Sequence, residues 1–204
     1  MNRISRQQPL KPRKVPRQPR SAETVASIIE AAAQILETAG LEGFNTNAVA
    51  RRAGVSIGSL YQYFPGKDAL ILALMRREKA RFYEDAAAAL GKPSGKAALE
   101  YLIGASVRQQ LQRPVLARLL DVEESRPGLS KEMAAGDTLQ SLLVTIIARA
   151  KPGQKRSEVA AGDMLAMIQG IVDAAGARRE KDIEDLERRV RAALFGYLSR
   201  IGKG

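Results

Sequence analysis

Hydrogen-bonding side chains are concentrated in the short segment IGSLYQYF, residues 57–64. Tyr61, Gln62 and Tyr63 are consecutive there, so on a helix they point in three different directions. A glutamine amide can pair with an adenine edge, and a phenol can donate a hydrogen bond to a phosphate. The chain has no histidine and no cysteine, which removes the usual zinc ligands and the commonest nucleophile systems. The sequence therefore predicts molecular recognition, with no catalytic residue, no metal site and no cofactor.

Helical geometry predicts what each side of this segment faces. At about 100° per residue, Leu60 and Phe64 mark the side that faces the core. Gly58 and Gln62 then point away from the core, and the two tyrosines lie about 80° to either side of the core direction. In the DNA major groove, Gln62 would face the bases and each tyrosine one sugar–phosphate wall. The alternative is that the tyrosines are half-buried core residues and the nearby glycines only end helices.

Capping residues and glycines predict the short helices that would position these side chains. Three helices are predicted, at residues 22–39, 47–53 and 57–64. Their expected N-caps are Ser21, Thr46 and Ser56. Gly40 is expected to stop the first helix, and Gly54 to form the turn between the second and the third. Two short helices joined by a glycine-containing turn form a helix–turn–helix, whose second helix enters the major groove.

The rest of the sequence is also typical of helices, because apolar residues recur at spacings of three and four and no alternating strand pattern persists. Six further helices are predicted near residues 67–90, 96–112, 114–125, 130–150, 157–176 and 181–201. The expected fold is all-α with about nine helices. A helix–turn–helix domain over residues 21–66 would be followed by a larger helical domain over residues 67–204.

Charge favours a polyanionic partner. Lys and Arg number 33 against 22 Asp and Glu, a net charge of +11, which indicates nucleic acid or, less readily, an anionic membrane surface. Residues 1–20 contain seven of these basic residues, four prolines and no acid, so they are predicted to form a disordered basic arm. With no signal peptide and no apolar run close to about 20 residues, a cytoplasmic protein without a membrane partner is expected.

Residues around the third helix complete a candidate DNA-contact set. The free amides at the helix starts near Thr46 and Lys67 are natural phosphate sites, and Arg52 could add another contact. Ser59 lies on the outer side of the third helix, and Ile57 could touch a thymine methyl or pack. The whole set is Thr46, Arg52, Ser56, Ile57, Gly58, Ser59, Tyr61, Gln62, Tyr63 and Lys67.

The stretch from Val25 to Leu72 resembles the DNA-binding domain of the tetracycline-repressor (TetR) family of bacterial transcriptional regulators. The resemblance lies in TAGLEGFNTNAVA and ARRAGVSIGSLYQYFPGKDAL, with the AGVS turn and the LYQYF helix. It implies three DNA-binding helices and a larger domain that dimerises and binds a small molecule. It also implies groove contact by Ile57, Gly58, Ser59 and Gln62 and phosphate contact by Thr46, Tyr61, Tyr63 and Lys67.

The basic arm is longer than in the shortest members of the family. In several relatives such an extension contacts the minor groove. The residues of this chain that could do the same are Arg13, Lys14, Arg17 and Arg20. A solvated tail is the alternative.

The last two predicted helices each carry an apolar stripe. Periodicity alone does not separate a core stripe from an interface stripe. Because one short recognition helix contacts only a few base pairs, a two-fold dimer on two half-sites is expected. The resemblance then implies a four-helix dimer interface, formed by Met164, Ile168, Ile171, Val172, Leu186, Val190, Leu194, Tyr197 and Leu198.

The middle helices are expected to enclose an effector pocket with mainly aliphatic walls and one polar anchor. Candidates for its wall are Tyr101, Arg108, Gln109, Met133, Met164 and Met167. For each residue taken alone, a packing or surface role is the alternative.

These observations lead to a first hypothesis of a cytoplasmic, nucleoid-associated homodimer that represses transcription. It would bind double-stranded DNA at a palindromic operator and leave it when a small-molecule effector binds. The second hypothesis is a basic architectural protein that coats nucleic acid or an anionic surface without an effector. Such a protein would not need the outward set of Gly58, Ser59 and Gln62. An enzyme is the third hypothesis, and the lack of histidine and cysteine argues against it.

Overall fold

The computed structural model describes residues 18–133 and 138–201, and every regular element within them is helical. The α-helices are α1 (Pro19–Gly43), α2 (Thr46–Ala53), α3 (Ile57–Tyr63), α4 (Lys67–Ala87), α5 (Gly95–Gln112), α6 (Pro114–Glu124), α7 (Pro127–Met133), α8 (Thr138–Ala150), α9 (Ser157–Ala177) and α10 (Ile183–Arg200), and a 3-10 turn spans Ala88–Gly91. The all-α prediction is confirmed. The described residues form ten α-helices, whereas about nine were predicted. The difference arises because α7 and α8 occupy the region of the single predicted helix 130–150.

The first helix begins earlier than predicted. Pro19 is its first residue, a position where a missing backbone N–H costs nothing. Gln18 is the N-cap, and its N–H donates to the Ser21 hydroxyl at 3.2 Å. The prediction of Ser21 as N-cap is wrong, because Ser21 is already the third helical residue. Arg20 also belongs to α1 and not to a disordered arm; residues 1–17, including Arg13, Lys14 and Arg17, lie outside the described residues.

The chain divides into two compact units. The first contains the described residues up to Glu78 together with Leu119–Met133, so it extends beyond the predicted domain of residues 21–66. The second contains Lys79–Arg118 and the described residues after position 137. Its central helix is α5, which packs against α8, α9 and α10.

Ion pairs attach the α6–α7 segment to α4 within the first unit. Arg126 donates to both carboxylate oxygens of Asp68 at 3.0 Å and to Glu123 at 2.5 Å. Arg76 pairs with Glu132 at 2.9 Å. The hydrogen bonds that Arg126 donates to Asp68 and Glu123 raise the pKa of Arg126 above its ordinary value. The segment is thus fixed to α4 at two points.

Most of the residues assigned to a dimer interface lie in the chain's own core. A side chain that its own chain covers contributes to the core of that chain, and the interface itself stays a prediction. Periodicity could not show this, because core and interface stripes have the same spacing. Ile171 and Tyr197 are only partly buried. The buried residues, each at most 7% exposed, are Met164, Ile168, Val172, Leu186, Val190, Leu194 and Leu198.

Helix α9 exposes small residues and acidic residues together. Among the described helices it alone is long and apolar enough to cross a bilayer by length and composition, and 39% of its most apolar stretch is buried within the chain. No such run stands out in the sequence, because Asp163 and Asp173 interrupt it. The exposed positions between these acids include Ala166 and Gly170. The open side of α9 therefore carries the small residues Ala166 and Gly170 between the exposed Asp163 and Asp173.

Gly95 begins α5 where α8 ends, and the two backbones lie close together. A Cβ at Gly95 would stand 2.1 Å from the backbone nitrogen of Ala150. Because backbone cannot rotate aside as a side chain does, we expect Gly95→Ala to lower the free energy of unfolding by about 3 kcal/mol. Urea denaturation measures this. Gly91→Ala is the matched control, since a Cβ at Gly91 would meet no atom within 4 Å; equal stability of the two variants would contradict the close approach.

Candidate nucleic-acid interface

The second helix is capped by Asn45. Its side-chain oxygen accepts a hydrogen bond from the Ala48 N–H at 2.9 Å, which satisfies one of the free amides at the helix start. The prediction of Thr46 as N-cap is wrong, because Thr46 is already the first helical residue. Thr46 still lies at the start of α2, where the free amides of the helix are.

A left-handed turn joins α2 to α3, as predicted. Gly54 has φ +68° and ψ 28°, a conformation that glycine adopts without steric cost. After the turn, the Ser56 hydroxyl accepts from the Ser59 N–H at 3.0 Å, so the prediction of Ser56 as N-cap is confirmed. The short α3 packs through Leu60 and ends at the buried Phe64.

The side of α3 away from the core is open. Gly58 and Gln62 are exposed, as the helical geometry predicts, and Ser59 beside them is partly exposed. A Cβ at Gly58 would meet only the Ser56 hydroxyl, at 3.8 Å. A flat surface such as a groove floor can therefore approach the start of α3 closely.

The two tyrosines differ in exposure. Tyr61 is 40% exposed and Ile57 is 38% exposed, whereas Tyr63 is half-buried. The hydroxyls of Tyr61 and Thr46 lie 3.1 Å apart, so the end of α3 and the start of α2 present their hydroxyls together. The paired hydroxyls form one polar edge of the interface.

Arg52 and Lys67 have partners within the first unit. Arg52 donates from Nε to the side-chain oxygen of Gln34 on α1 at 2.7 Å, and it remains exposed. Lys67 is half-buried and donates from Nζ to the carbonyl oxygen of Leu41 at 3.1 Å. The sequence carried no signal for the lysine's partner, because every residue has a backbone carbonyl.

The candidate effector residues are only partly brought together. Tyr101 donates to one carboxylate oxygen of Asp85 at 2.7 Å, and Arg108 donates to the other at 3.1 Å. The hydrogen bond from Tyr101, with Arg108 beside it, lowers the pKa of Asp85, and the same bond raises the pKa of Tyr101. Sequence reasoning missed Asp85, since a single acid on a helix surface is unremarkable in a sequence.

The other candidates are dispersed. Gln109 and Met167 are half-buried, and Met164 is fully buried. Met133 belongs to the first unit, whereas the other five candidates belong to the second. A buried polar residue of α5 was also missed: Gln110 is 6% exposed, and its amide lies where a Cβ at Gly176 would otherwise stand.

Comparison with known proteins matches both parts of the chain to family models. Residues 28–74 match the model of bacterial regulatory proteins, tetR family. Residues 96–198 match the model of the tetracyclin repressor-like C-terminal domain. The first match spans the helices around the candidate interface, and the second alone covers half of the chain.

Individual relatives agree with the family models. The transcriptional repressor DrrR1 of Streptomyces coeruleorubidus is 32% identical over 178 residues, which cover 87% of this chain and 61% of DrrR1. The transcriptional repressor KstR of Rhodococcus jostii is 30% identical over 153 residues, which cover 72% of this chain and 66% of KstR. The chain thus spans about three fifths to two thirds of the length of these two relatives.

A solved structure shares the fold. The fatty acid degradation regulator FadR of Bacillus halodurans superposes with a TM-score of 0.73 at 18% identity, covering 89% of this chain and 97% of FadR. At that identity the likeness concerns the fold alone. The two family models match the first and the second part of the sequence in order, and the chain therefore belongs to the TetR family of bacterial regulatory proteins.

Proposed function

We propose that the protein is a DNA-binding transcriptional regulator, a homodimer that represses from a palindromic operator and leaves it when a small molecule binds. The observation that carries the proposal is the exposed outer side of α3, with Gly58 and Gln62 facing solvent and Tyr61 beside them. DrrR1 and KstR are both named transcriptional repressors, which supports repression rather than activation. The protein acts in the cytoplasm on the bacterial nucleoid.

Each exposed group of α3 has a role in this proposal. Gln62 pairs with an adenine edge through its amide, and Gly58 allows the start of the helix to approach the groove floor. Ile57 contacts a thymine methyl, and Ser56 and Ser59 face the same groove. Contacts to the phosphates fix the position of the helix but do not distinguish sequences. Those contacts come from Thr46, Arg52, Tyr61, Tyr63 and Lys67.

The dimer forms through the exposed sides of α9 and α10. On α9 this side carries Val159, Ala166 and Gly170, and on α10 it carries Ala192 and Gly196, all exposed or partly exposed. Small residues allow two helices to approach closely, and the covered apolar surface drives association. A second copy of the chain is the natural occupant, because a two-fold pair places two α3 helices on two half-sites.

The effector binds in the second unit near α5. A buried amide at Gln110 and the Asp85–Tyr101–Arg108 cluster supply polar anchors among aliphatic residues. Such a mixture suits a largely apolar molecule with few polar groups. Release from DNA requires that this molecule bind the free conformation more tightly than the DNA-bound one.

Selection of preferred sites from random duplex DNA tests the proposal directly. A dimeric repressor should enrich a palindrome with two half-sites about one helical turn apart. The second candidate, a basic architectural protein, is favoured by the net charge of +11 and would enrich no palindrome. Failure to enrich any sequence would therefore replace the first proposal with the second.

Gln62→Ala should relax sequence preference at one base-pair position of each half-site. The expected loss of discrimination is about 1–3 kcal/mol, because the amide's two hydrogen bonds to the base are removed. Binding to the enriched duplex and to its single-base variants measures this. Gln112→Ala, at an exposed glutamine at the end of α5, is the matched control and should leave preference unchanged.

Tyr63→Phe should instead weaken binding to all duplexes by about the same factor, because a phosphate contact carries no sequence information. If Gln62→Ala also weakened all duplexes equally, Gln62 would not contact bases.

Gly170→Arg should produce monomers, measured by light scattering. A Cβ at Gly170 would meet no atom within 4 Å inside the chain, and arginine favours a helix more than glycine does, so the variant should fold. A charged side chain on this face blocks the close approach of a partner. Ser141→Arg, at an exposed position of α8, is the control and should remain dimeric. A Gly170→Arg dimer of unchanged stability would place the interface elsewhere.

A further inference from the structure

Gln34 is a half-buried residue of α1 that lies between two charged side chains. Its Oε1 accepts a hydrogen bond from the Nε of Arg52 on α2 at 2.7 Å. Its Nε2 donates to a carboxylate oxygen of Glu30, four residues earlier on α1, at the longer distance of 3.4 Å. The amide therefore joins a cation on one side to an anion on the other.

Only one orientation of this amide satisfies both neighbours. The amide oxygen is an acceptor and the amide nitrogen is a donor. In the reverse orientation, the nitrogen would face the guanidinium of Arg52, which only donates, and the oxygen would face the carboxylate of Glu30, which only accepts. The two charged groups thus fix the orientation of Gln34, with its oxygen towards Arg52.

Glu30 is itself held from α4. Its other carboxylate oxygen accepts from the Nη1 of Arg77 at 2.8 Å, and Arg77 also donates from Nε to Glu78 at 2.8 Å. The side chain of Arg77 is only 16% exposed, so water competes little for these bonds. A polar bridge of Arg77, Glu30, Gln34 and Arg52 therefore runs from α4 through α1 to α2.

The polar bridge occupies one N–H of Arg52 and leaves the outer edge of the guanidinium available. A guanidinium has five N–H donors in a planar fork, and the four on its Nη atoms match the oxygens of a phosphate. Within residues 18–133 and 138–201, the Nη atoms of Arg52 have no hydrogen-bond partner, and the side chain is exposed. Gln34 thus holds Arg52 by the nitrogen that a two-pronged phosphate contact does not need.

We propose that Gln34 is a positioning residue, which fixes the Arg52 side chain in the free protein so that its Nη groups are already placed for a DNA phosphate. The inference rests on the proposed contact between Arg52 and the DNA backbone. A long side chain with many rotamers loses conformational freedom when a partner immobilises it. Because Gln34 removes part of that freedom beforehand, the phosphate contact forms at a smaller entropic cost.

A double-mutant cycle on DNA affinity tests this role. The experiment uses the full-length protein and a short duplex that carries the site enriched from random DNA. Gln34→Met keeps the length of the side chain and removes both hydrogen bonds, so we expect it to weaken binding about fivefold, the cost of ordering one free arginine. In Arg52→Met protein, the same change should have no effect, because the side chain that Gln34 positions is absent.

Salt dependence separates positioning from contact. Loss of one phosphate contact lowers the magnitude of the slope of log affinity against log salt by about 0.9. Arg52→Met should show this decrease. Gln34→Met should keep the wild-type slope, because Arg52 still reaches its phosphate in the complex.

Arg51→Met provides the matched control. Arg51 is an exposed arginine next to Arg52 on α2, and it is not part of the polar bridge. In Arg51→Met protein, the change Gln34→Met should therefore still weaken binding about fivefold.

Solvent exchange of the Arg52 Nε proton, followed by NMR, measures the same bond without DNA. A proton that is hydrogen-bonded within the protein exchanges slowly, so Gln34→Met should make this exchange faster. Gln34→Glu supplies an oxygen acceptor for the same proton and should keep the exchange slow. If Gln34→Met does not fold, Gln34→Ala takes its place in every measurement, since alanine is the strongest helix former.

Three results would overturn the inference alone. They are an equal loss of affinity on Gln34→Met with and without Arg52, an unchanged affinity in Gln34→Met, and an unchanged exchange of the Arg52 Nε proton. An Arg52→Met protein that binds DNA with the wild-type salt slope would remove the phosphate contact and the inference with it. A wild-type protein that bound no duplex would overturn the proposed function itself.

Discussion

The rotational setting of α3 depends on the burial of Leu60 and Phe64. The helix has seven residues, too few for a helix to be stable alone in water. Leu60 is 0% exposed and Phe64 is 1% exposed, so the core of the first unit supplies the stability that the helix lacks. With these two side chains turned inward, Gly58 and Gln62 must face outward.

Local caps and turns set where α3 begins and ends. Gly54 makes the left-handed turn, the Ser56 hydroxyl caps the first turn of α3, and Pro65 follows its end. These features involve residues close together in the sequence, so the residue types alone predict them. The predicted start of α3 and the outward position of Gln62 are accordingly confirmed.

Sequence patterns do not distinguish neighbouring residues that cap equally well, nor apolar stripes that have the same spacing. Asn45 caps α2 in place of Thr46, one residue further on, and both residue types are good caps. Leu194 and its neighbours form an intramolecular core, although their spacing suits an interface equally well. Small residues such as Gly170 and Gly196 mark the open face instead, and they give no signal in a search for large apolar side chains.

The sequence by itself determined the all-helical class, the turn at Gly54 and the faces of α3, because hydrogen-bond caps and helical periodicity act over a few residues. Only the tertiary structure decided which stripes of α9 and α10 were covered, that Asp85 joined Tyr101 and Arg108, and that the ammonium of Lys67 met Leu41 and Phe44. These interactions join residues far apart in the chain, and one partner is a backbone carbonyl that every residue possesses. Their formation depends on how the helices pack, which local sequence patterns do not encode.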